Sequence, residues 1–404
     1  MKLREEALQR LESLDLGGYA QRRSYLDGNV THLSAYLRFG ILSLAEARDR
    51  AWSADCDLAS REKFLSELAW HDYYRRVLAL LGEGIRSAIE PAKSGWGADA
   101  YERTLPDDIV AGASGLACID AFANELRETG YLHNHARLWF AAYLVHWRKI
   151  AWESGARFFL DYLIDGDSAS NDLSWQWVAS TFSDAPYIFN RANLERYSAG
   201  RFCSSCPKRS AGCPFEGEYD AISQALFPHK KGDLGPQPEL RAPADRPAVP
   251  GKRPERAIVL HHYDAMRPTH PAARFAPDAP ALFVNDAALY DEASVNHVGR
   301  TIVYAALGSM QAEYRVGDFV EESLRFAREV GADAAIVTES SDPTLRRRFR
   351  MLGEHIEVVP VPDDPFVTLD EEVDLRRFSR YWSLARRSLR TAASAANIVP
   401  LFSN

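Results

Sequence analysis

The sequence predicts a multidomain protein, in which an all-α domain is followed by an α/β domain with a parallel, doubly wound sheet. Eight of the nine tryptophans lie before residue 180, and seven prolines crowd into 228–255. After these prolines, short apolar runs alternate with amphipathic helical segments, which is typical of strands joined by crossover helices. The length of 404 residues suits two or three domains. We therefore predict a helical domain at 1–227, an extended linker at 228–255 and an α/β domain at 256–404.

The helices of the front part are predicted by the spacing of their apolar residues. Apolar side chains recur at helical intervals over 60–81, 116–129 and 131–153, and prolines are sparse there. Ser60 stands where an N-cap is expected, because its hydroxyl can accept from a backbone amide of the first turn. No alternation of period two persists in this part, so we predict no strands in it.

The second part combines strands and helices. Four short apolar runs predict buried strands, at 257–260, 281–284, 334–338 and 356–359. Helices are predicted between and after these strands, at 318–330, 343–352 and 374–393. Gly331 is suited to end the first of these helices, and the last is rich in arginine.

Composition and charge exclude several classes of protein. The chain has 48 Lys and Arg against 56 Asp and Glu, a formal net charge of −8, which argues against a basic nucleic-acid coat protein but leaves room for a local basic groove. Five cysteines in 404 residues exclude a disulfide scaffold. No apolar run reaches the length of a bilayer span, and the first residues lack a signal-peptide core. We expect a cytoplasmic protein with no membrane partner.

Polar side chains gather in the segment 164–177. Asp165, Asp167 and Asn171 stand near Trp175 and Trp177 around a predicted turn. Taken alone, the segment favours an Asp-Gly turn with helix caps, followed by a helix that buries its tryptophans.

A second group of polar residues, His133, Asn134, His135 and Arg137, enters an otherwise apolar helix. Burying an unpaired arginine is costly, so Arg137 needs a carboxylate partner, for which Asp165 is the candidate. The alternative is a surface face with its long side chains reaching into solvent.

A third group is the pair Glu67 and Trp70, which share one helix face because they lie three residues apart. An acid beside an indole can bind a nucleobase by hydrogen bonding and stacking. More often such a pair is a solvated acid next to a core aromatic.

Together these segments resemble the FAD-binding domain of the photolyase/cryptochrome family. The resemblance runs over about 24–190, and several separate motifs occur in the family's order. These motifs are LSAYLRFG at 33–40, ELAW at 67–70, GYLHN at 130–134, IDGD at 164–167 and WQWVAS at 175–180.

The resemblance implies a set of FAD-binding residues. Hydroxyl and backbone groups at Tyr25, Thr31 and Ser34 are expected to hold the FAD phosphates. The flavin ring is expected to lie against four further side chains, Arg137, Asp165, Asp167 and, opposite its N5 atom, Asn171. The phosphate-binding stretch has one hydroxyl fewer than the family often shows.

The resemblance also implies residues for repair and for electron transfer. The flipped-out lesion is expected to contact Glu67, Trp70 and Asn134, beside His135, which stands where many dimer-repairing members have arginine. Leu138 stands where several have methionine. Trp175 and Trp152 are expected to relay electrons to the flavin. Their outermost partner is left open between Tyr101 and Trp147.

Three closely spaced cysteines, Cys203, Cys206 and Cys213, form a C-x₂-C-x₆-C-P pattern. In a reducing compartment such spacing indicates a metal site. Together with Cys118, the pattern resembles the iron–sulfur bacterial branch of the family, which implies four thiolates around a [4Fe-4S] cluster. Zinc is the alternative, because four cysteines suit it equally. The segment 165–177, in contrast, resembles ordinary dimer photolyases more closely than it resembles that branch.

Residues 256–365 resemble the family's Rossmann-like antenna domain, although that domain normally precedes the flavin domain. The resemblance therefore implies a permuted domain order. A second, antenna-type chromophore is left open, and no Gly-rich phosphate fingerprint is present.

These expectations favour a light-dependent DNA photolyase that repairs cyclobutane pyrimidine dimers by electron transfer from excited, reduced FAD. UV-damaged DNA is then the partner, and we expect a monomer. His133 and His135 keep a (6-4) photolyase open, since that chemistry needs proton transfer. A cryptochrome-like blue-light photoreceptor without repair is the main alternative of another class, and an iron–sulfur nucleic-acid binder that has lost its flavin is a third.

Overall fold

The structure, a computed structural model, describes residues 3–210, 212–229, 238–245 and 252–395. The α-helices, numbered α1 to α18, are Leu3–Glu12, Tyr19–Arg22, Ser34–Arg38, Leu44–Ser53, Leu58–Leu81, Asp107–Val110, Ala117–Thr129, Asn134–Ala142, Trp152–Tyr162, Ser168–Ala179, Arg191–Tyr197, Tyr219–Leu226, Pro271–Phe275, Ala287–Glu292, His297–Leu307, Phe319–Val330, Pro343–Gly353 and Phe378–Ala395. The strands, β1 to β7, are Arg241–Ala242, Ala257–His261, Ala281–Asn285, Glu313–Val316, Ala334–Thr338, Glu357–Val361 and Val373–Asp374. Much of the predicted extended linker, at 230–237 and 246–251, lies outside the described residues.

The chain divides into two compact units, and this division differs from the predicted split at 228–255. The first unit contains the described residues of Met1–Gly17, Thr31–Gly82 and Arg241–Asn404. The second contains those of Gly18–Val30 and Glu83–Leu240. Helices α1, α3, α4 and α5 therefore belong to the unit that holds the sheet, and not to a helical domain that ends at residue 227.

The first unit is built on a five-stranded parallel sheet with the order β4-β3-β2-β5-β6. Strands β2 and β5 are central, and all five residues of each are buried, as expected for a parallel sheet covered on both faces. The predicted doubly wound α/β region is confirmed. Strand β4 was not predicted, because its sequence, Glu-Tyr-Arg-Val, is mostly exposed at the sheet edge and has no apolar run.

In the same unit, the C-terminal helix α18 packs against α5. The Tyr73 hydroxyl donates to the carbonyl of Leu375 at 2.8 Å, and the Tyr381 hydroxyl donates to Asp72 Oδ2 at 2.5 Å. Helix α5 is capped by Asp57, whose carboxylate accepts from the amide of Ser60, so the predicted cap at Ser60 is wrong by three residues.

The second unit is formed by helices, with the large side chains of Phe122, Trp139 and Phe140 fully buried in its core. The helix predicted at 131–153 is interrupted there. A π-helical turn follows α8, and Lys149 has a φ of 53°, in the left-handed region, before α9 begins. The interruption lets the amide of Glu102 donate to the carbonyl of Lys149, at 2.8 Å. In the described part of 3–227, the bridge of Glu102 to Ile150 is the one isolated β-type pairing.

The carboxyl end of β2 receives a segment from the front of the chain. Gly40 has a φ of 60°, and a Cβ atom there would lie 2.0 Å from the carbonyl oxygen of Asp264. The amide of Met266 donates to the carbonyl of Phe39 at 2.9 Å, and Arg38 Nη1 pairs with Asp264 Oδ1 at 2.6 Å. Only glycine therefore fits at position 40.

We predict that Gly40→Ala lowers the free energy of unfolding by about 3 kcal/mol or more, because left-handed strain adds to a clash with rigid backbone. The control is Gly331→Ala, where φ is 69° but a Cβ would have no neighbour within 4 Å. Its cost should be about 1 kcal/mol. Urea unfolding of both variants measures the difference, and equal costs would contradict the close approach at Gly40.

Candidate functional site

Arg137 and Asp165 form the central ion pair of the second unit. Arg137 lies in the first turns of α8, and Asp165 lies in the turn before α10. Nη2 of Arg137 donates to both carboxylate oxygens of Asp165 at 3.0 Å, and its Nε donates to the carbonyl of Leu132 at 2.8 Å. The Asp165 side chain is 6% exposed and that of Arg137 is 23% exposed. The predicted pairing is confirmed, and Arg137 Nη1 makes no hydrogen bond among the described residues.

Two further side chains of the segment are engaged within the protein. Asp167 is the N-cap of α10, and its carboxylate accepts from the amide of Ser170 at 3.0 Å. Asn171 is buried, and its amide nitrogen donates to the carbonyl of Ala156 at 3.0 Å and to Asp172 Oδ1 at 2.9 Å. The carbonyl of the Asn171 side chain is therefore the group it could offer to a ligand.

The polar group at the start of α8 spans exposed and buried positions. Asn134 is exposed and His133 is buried, where its Nδ1 accepts from the amide of His135 at 3.1 Å. Burial lowers the pKa of His133 to about 4 and lowers that of His135 as well. The His135 ring donates to the carbonyl of Ser24 at 2.8 Å and stacks on Trp139 at 4.3 Å. Both imidazoles are therefore neutral at pH 7.

The predicted relay tryptophans Trp175 and Trp152 are both buried, and Trp175 packs on the helix that Trp152 opens. A Cβ at Gly155 would lie 2.2 Å from the Trp175 ring, so the absent side chain makes room for the indole. The Phe159 ring meets Trp175 edge to face at 5.0 Å. Nε1 of Trp175 is buried without a hydrogen-bond partner in the described part of the chain.

The two candidates for the outer relay position have different electrostatic surroundings. Trp147 donates its indole N–H to the carbonyl of Pro214 at 2.9 Å. Tyr101 instead lies under Lys149, whose ammonium is 5.9 Å from that ring and 4.6 Å from the ring of Trp96. The Lys149 nitrogen is buried with no hydrogen-bond partner among the residues described, and burial lowers its pKa to about 8.

In the first unit, Trp70 is in contact with the C-terminal helix. The Phe378 ring lies parallel to the Trp70 indole, with centroids 3.7 Å apart and an interplanar angle of 9°. Glu67 pairs with Lys63 at 2.8 Å on the surface of α5. The face of Trp70 against Phe378 is therefore covered in this structure, while the role of Trp70 in lesion binding stays a prediction.

The remaining predicted FAD residues are divided between the units. Thr31 and Ser34 lie in the first unit, where Ser34 opens the five-residue helix α3. Tyr25 lies in the second unit, and its ring meets Tyr197 edge to face at 5.0 Å.

The four predicted cysteine ligands line one small cavity of the second unit. Its wall consists of Leu116, Cys118, Arg191, Leu194, Phe202, Cys203, Cys206, Arg209, Cys213 and Phe215. Burial raises the pKa of the Cys118 thiol, with a contribution from the other cysteines, and raises that of Cys203 to about 11. Across the described ranges, however, no three His, Cys, Asp or Glu side chains are close enough together to hold a metal ion. The cysteines converge, but their sulfurs do not form a ready ligand set.

Three residues were missed by the sequence analysis. Phe378 could have been noticed, because it and Trp382 lie four residues apart on one face of a predicted helix. Lys149 and Asp172 left no pattern of their own, since burial alone distinguishes them. Burial raises the pKa of Asp172 to about 6.

Comparisons with known proteins support a relationship to the photolyase/cryptochrome family. A family profile described as the FAD binding domain of DNA photolyase matches residues 64–200. A deoxyribodipyrimidine photo-lyase of Streptomyces griseus is 37% identical over 185 residues, which is 45% of this chain and 40% of that protein. The protein of that name from Escherichia coli is 34% identical over 185 residues, 43% of this chain and 38% of its own length. The matches thus span less than half the length of these relatives.

Solved structures show a weaker similarity. A class III photolyase from Agrobacterium tumefaciens is 28% identical, with a TM-score of 0.44 over 55% of this chain and 50% of that one. A Synechocystis cryptochrome is 23% identical, with a TM-score of 0.42 over 48% and 43%. The sequence matches, and not these superpositions, carry the relationship. Of the helices described, none combines the length and apolar character of a membrane span.

We predict that Asp172→Asn stabilises the protein by about 2 kcal/mol at pH 8 and has little effect near pH 4. The pKa of Asp172 is raised from 3.8 to about 6 in the folded state, so the native protein loses stability as the pH rises through this range. Asn keeps the acceptor that Asn171 uses. Asp161→Asn, at an exposed pair with Arg157, is the control and should show no such pH dependence. Denaturation at both pH values measures the effect, and a gain that does not change with pH would contradict it.

Proposed function

We propose that this protein is a light-dependent DNA photolyase that repairs UV-induced pyrimidine dimers, preferentially of the cyclobutane type, with FAD as its cofactor. The observation that carries the proposal is the largely buried Asp165 carboxylate paired with Arg137, inside the segment matched by the FAD-binding profile. The relatives named deoxyribodipyrimidine photo-lyase support the same reaction class.

The side chains of the second unit suit a flavin ring. Arg137 is held by Leu132 and Asp165 yet keeps Nη1 available, so it can donate to a carbonyl of the ligand. Asn171 is fixed through its amide nitrogen and can present its carbonyl oxygen. Tyr25, Thr31 and Ser34 would hold the phosphates by hydroxyl and backbone groups. Reduced FAD, when bound, supplies an electron on excitation, and these residues bind and orient it.

The protein's own role in electron transfer falls to its tryptophans. Trp175 and Trp152 are both buried around α9. In the proposal they carry electrons inward from an outer station nearer the surface. Between the two candidates for the outer station, Trp147 can keep the positive charge of an oxidised indole, whereas an oxidised Tyr101 loses its phenolic proton and becomes neutral, so the Lys149 ammonium near that ring does not by itself exclude Tyr101. The carbonyl of Pro214, which accepts from Trp147, would favour that charge.

The residues that the resemblance assigns to the lesion are Glu67 and Trp70 on α5, and Asn134 and His135 at the start of α8. A (6-4) photolyase stays the alternative, because an imidazole such as that of His135 can take part in the proton transfer that this chemistry needs, although burial lowers its pKa. The stack of Phe378 on Trp70 favours a second candidate function, a cryptochrome-like photoreceptor that binds FAD without repair.

The cysteine cavity extends the proposal to a metal. Cys118, Cys203, Cys206 and Cys213 would bind a [4Fe-4S] cluster or, alternatively, zinc, which requires their sulfurs to come closer together than they are in this structure. Because burial raises the pKa of Cys118 and of Cys203, these two thiols must release protons when they bind a metal. Arg191 and Arg209 in the cavity wall would balance the charge of four thiolates.

The proposal also covers the α/β region and the surroundings of the protein. The α/β region would be an antenna-type domain in permuted order, with or without a second chromophore. Arg38 and Gly40 occupy the carboxyl end of β2, so a chromophore would need another place in this unit. The protein is expected to be a cytoplasmic monomer that acts on UV-damaged DNA.

The test is light-dependent repair by the purified protein. We predict that blue light restores an oligonucleotide with one thymine dimer, that darkness does not, and that Arg137→Met lowers both bound FAD and repair at least tenfold. Removal of Arg137 leaves a buried carboxylate unpaired and deletes the donor to the flavin. Arg157→Met removes an exposed Arg–Asp pair and serves as the control.

Absorbance of released FAD and chromatography of the repaired oligonucleotide measure the two effects. Full FAD content without repair would select the photoreceptor, and absence of FAD from the wild-type protein would reject both.

For the metal, we predict that Cys118→Ser removes iron or zinc from the purified protein, while Cys56→Ser, at a cysteine of the other unit, leaves the content unchanged. Elemental analysis after anaerobic purification gives the metal-to-protein ratio, and visible absorbance separates a cluster from zinc. Wild-type protein that contains neither metal would disprove the site.

A further inference from the structure

Three aromatic rings form a column between α5 and α18. The Trp70 and Phe378 rings are 3.7 Å apart at an angle of 9°, and Phe378 and Trp382 are 6.2 Å apart at 7°. The first of these distances is that of stacked rings in direct contact. Phe378 therefore lies on the Trp70 indole in the manner of a stacked nucleobase.

The other rings around Trp70 are not parallel to it. Tyr74, one turn further along α5, is tilted by 42°, and Tyr73 is nearly perpendicular, at 83°. Among the described residues, Phe378 is thus the aromatic side chain stacked flat on this indole. A base that stacked on the same face would have to take the place of the Phe378 ring.

Polar contacts hold α18 over α5. Glu62 accepts from Arg386 at 2.7 and 2.8 Å and also from Arg390. Tyr381 donates to Asp72 one turn after Phe378. These contacts flank the column, so a displacement of α18 from α5 would have to break them.

The arginine contacts are reachable from solvent. The side chains of Arg386 and Arg390 are 42% and 37% exposed, and Glu62 is the carboxylate that neutralises both. Phosphates of a DNA backbone are anions that compete for arginines. A duplex that approached Trp70 would therefore weaken the anchor that keeps α18 in place.

We propose that α18 is a built-in cover of the base-stacking face of Trp70, with Phe378 in the place of a flipped-out base, and that a DNA lesion reaches Trp70 only after α18 moves away from α5. The inference rests on the proposed function, because it takes Trp70 as the surface for the lesion. The affinity for a lesion is then reduced by the fraction of molecules in which the cover is open.

The experiment measures binding in the dark, by fluorescence anisotropy, to a single-stranded oligonucleotide with one cyclobutane thymine dimer and to its undamaged counterpart. We expect Phe378→Ala to raise the ratio of the two affinities at least tenfold over wild type. Ser379→Ala, at the exposed neighbouring position, is the matched control and should leave the ratio unchanged. The gain should vanish in the double variant Trp70→Ala/Phe378→Ala.

A second variant loosens the cover without touching the stack. Glu62→Gln removes the charge that holds Arg386 and Arg390, and it should raise the same ratio and speed amide hydrogen exchange across α18. If Phe378→Ala fails to fold, the affinity ratio of Glu62→Gln tests the proposal in its place. An unchanged ratio in the folded variants, or a gain that does not need Trp70, overturns the proposal.

Failure of the proposed function gives a different result. A protein that binds FAD but never repairs would still show the change in dark binding, because that assay needs neither light nor flavin chemistry. If wild type and all variants bind both oligonucleotides equally, Trp70 is not a lesion surface and the cover has no function of this kind.

Discussion

The second unit depends on one constraint: the guanidinium of Arg137 and the carboxylate of Asp165 can be removed from solvent only as a pair, because an unpaired buried charge is costly. Asp165 is 6% exposed, and either partner alone would be an uncompensated charge that costs about 3 to 5 kcal/mol. Their pairing fixes α8 against the turn before α10. Since α8 carries His133 and His135 while α10 carries Asn171 and Trp175, the positions of both predicted groups follow from this contact.

The sequence predicted the elements that depend on local patterns, and it did not predict those that depend on contacts between segments far apart along the chain. The central strands were predictable, because β2 and β5 are continuous apolar runs that a parallel sheet requires. The break between α8 and α9 was not, since Lys149 adopts its φ of 53° in response to pairing with a distant segment, at Glu102. Composition likewise separated 1–227 from the rest, whereas packing joined α5 to α18.

The candidate site shows the same limit. The partner of Arg137 could be predicted from the sequence, because a buried charge needs a counter-charge and Asp165 was the candidate acid. The contact between Trp70 and Phe378 could not be predicted, since helical spacing relates residues only within one helix and these two lie on different helices. A resemblance to relatives also could not reveal Phe378, because the matches cover less than half of this chain and α18 lies outside the profile at 64–200. The contact between Trp70 and a helix outside that profile becomes visible only in the structure.

Among the described residues, three buried polar groups with incomplete compensation lie near α9, and others lie elsewhere. Lys149 precedes this helix with an unpaired ammonium, Trp175 packs on its Gly155 with an unbonded indole N–H, and Asp172 lies beside the Asn171 amide that bonds to Ala156. Burial shifts the pKa of Lys149 to about 8 and that of Asp172 to about 6, so both lie near neutrality. Perturbed groups of this kind concentrate at functional sites more than in packing cores. An electron that crossed α9 along the proposed relay would pass between these charges.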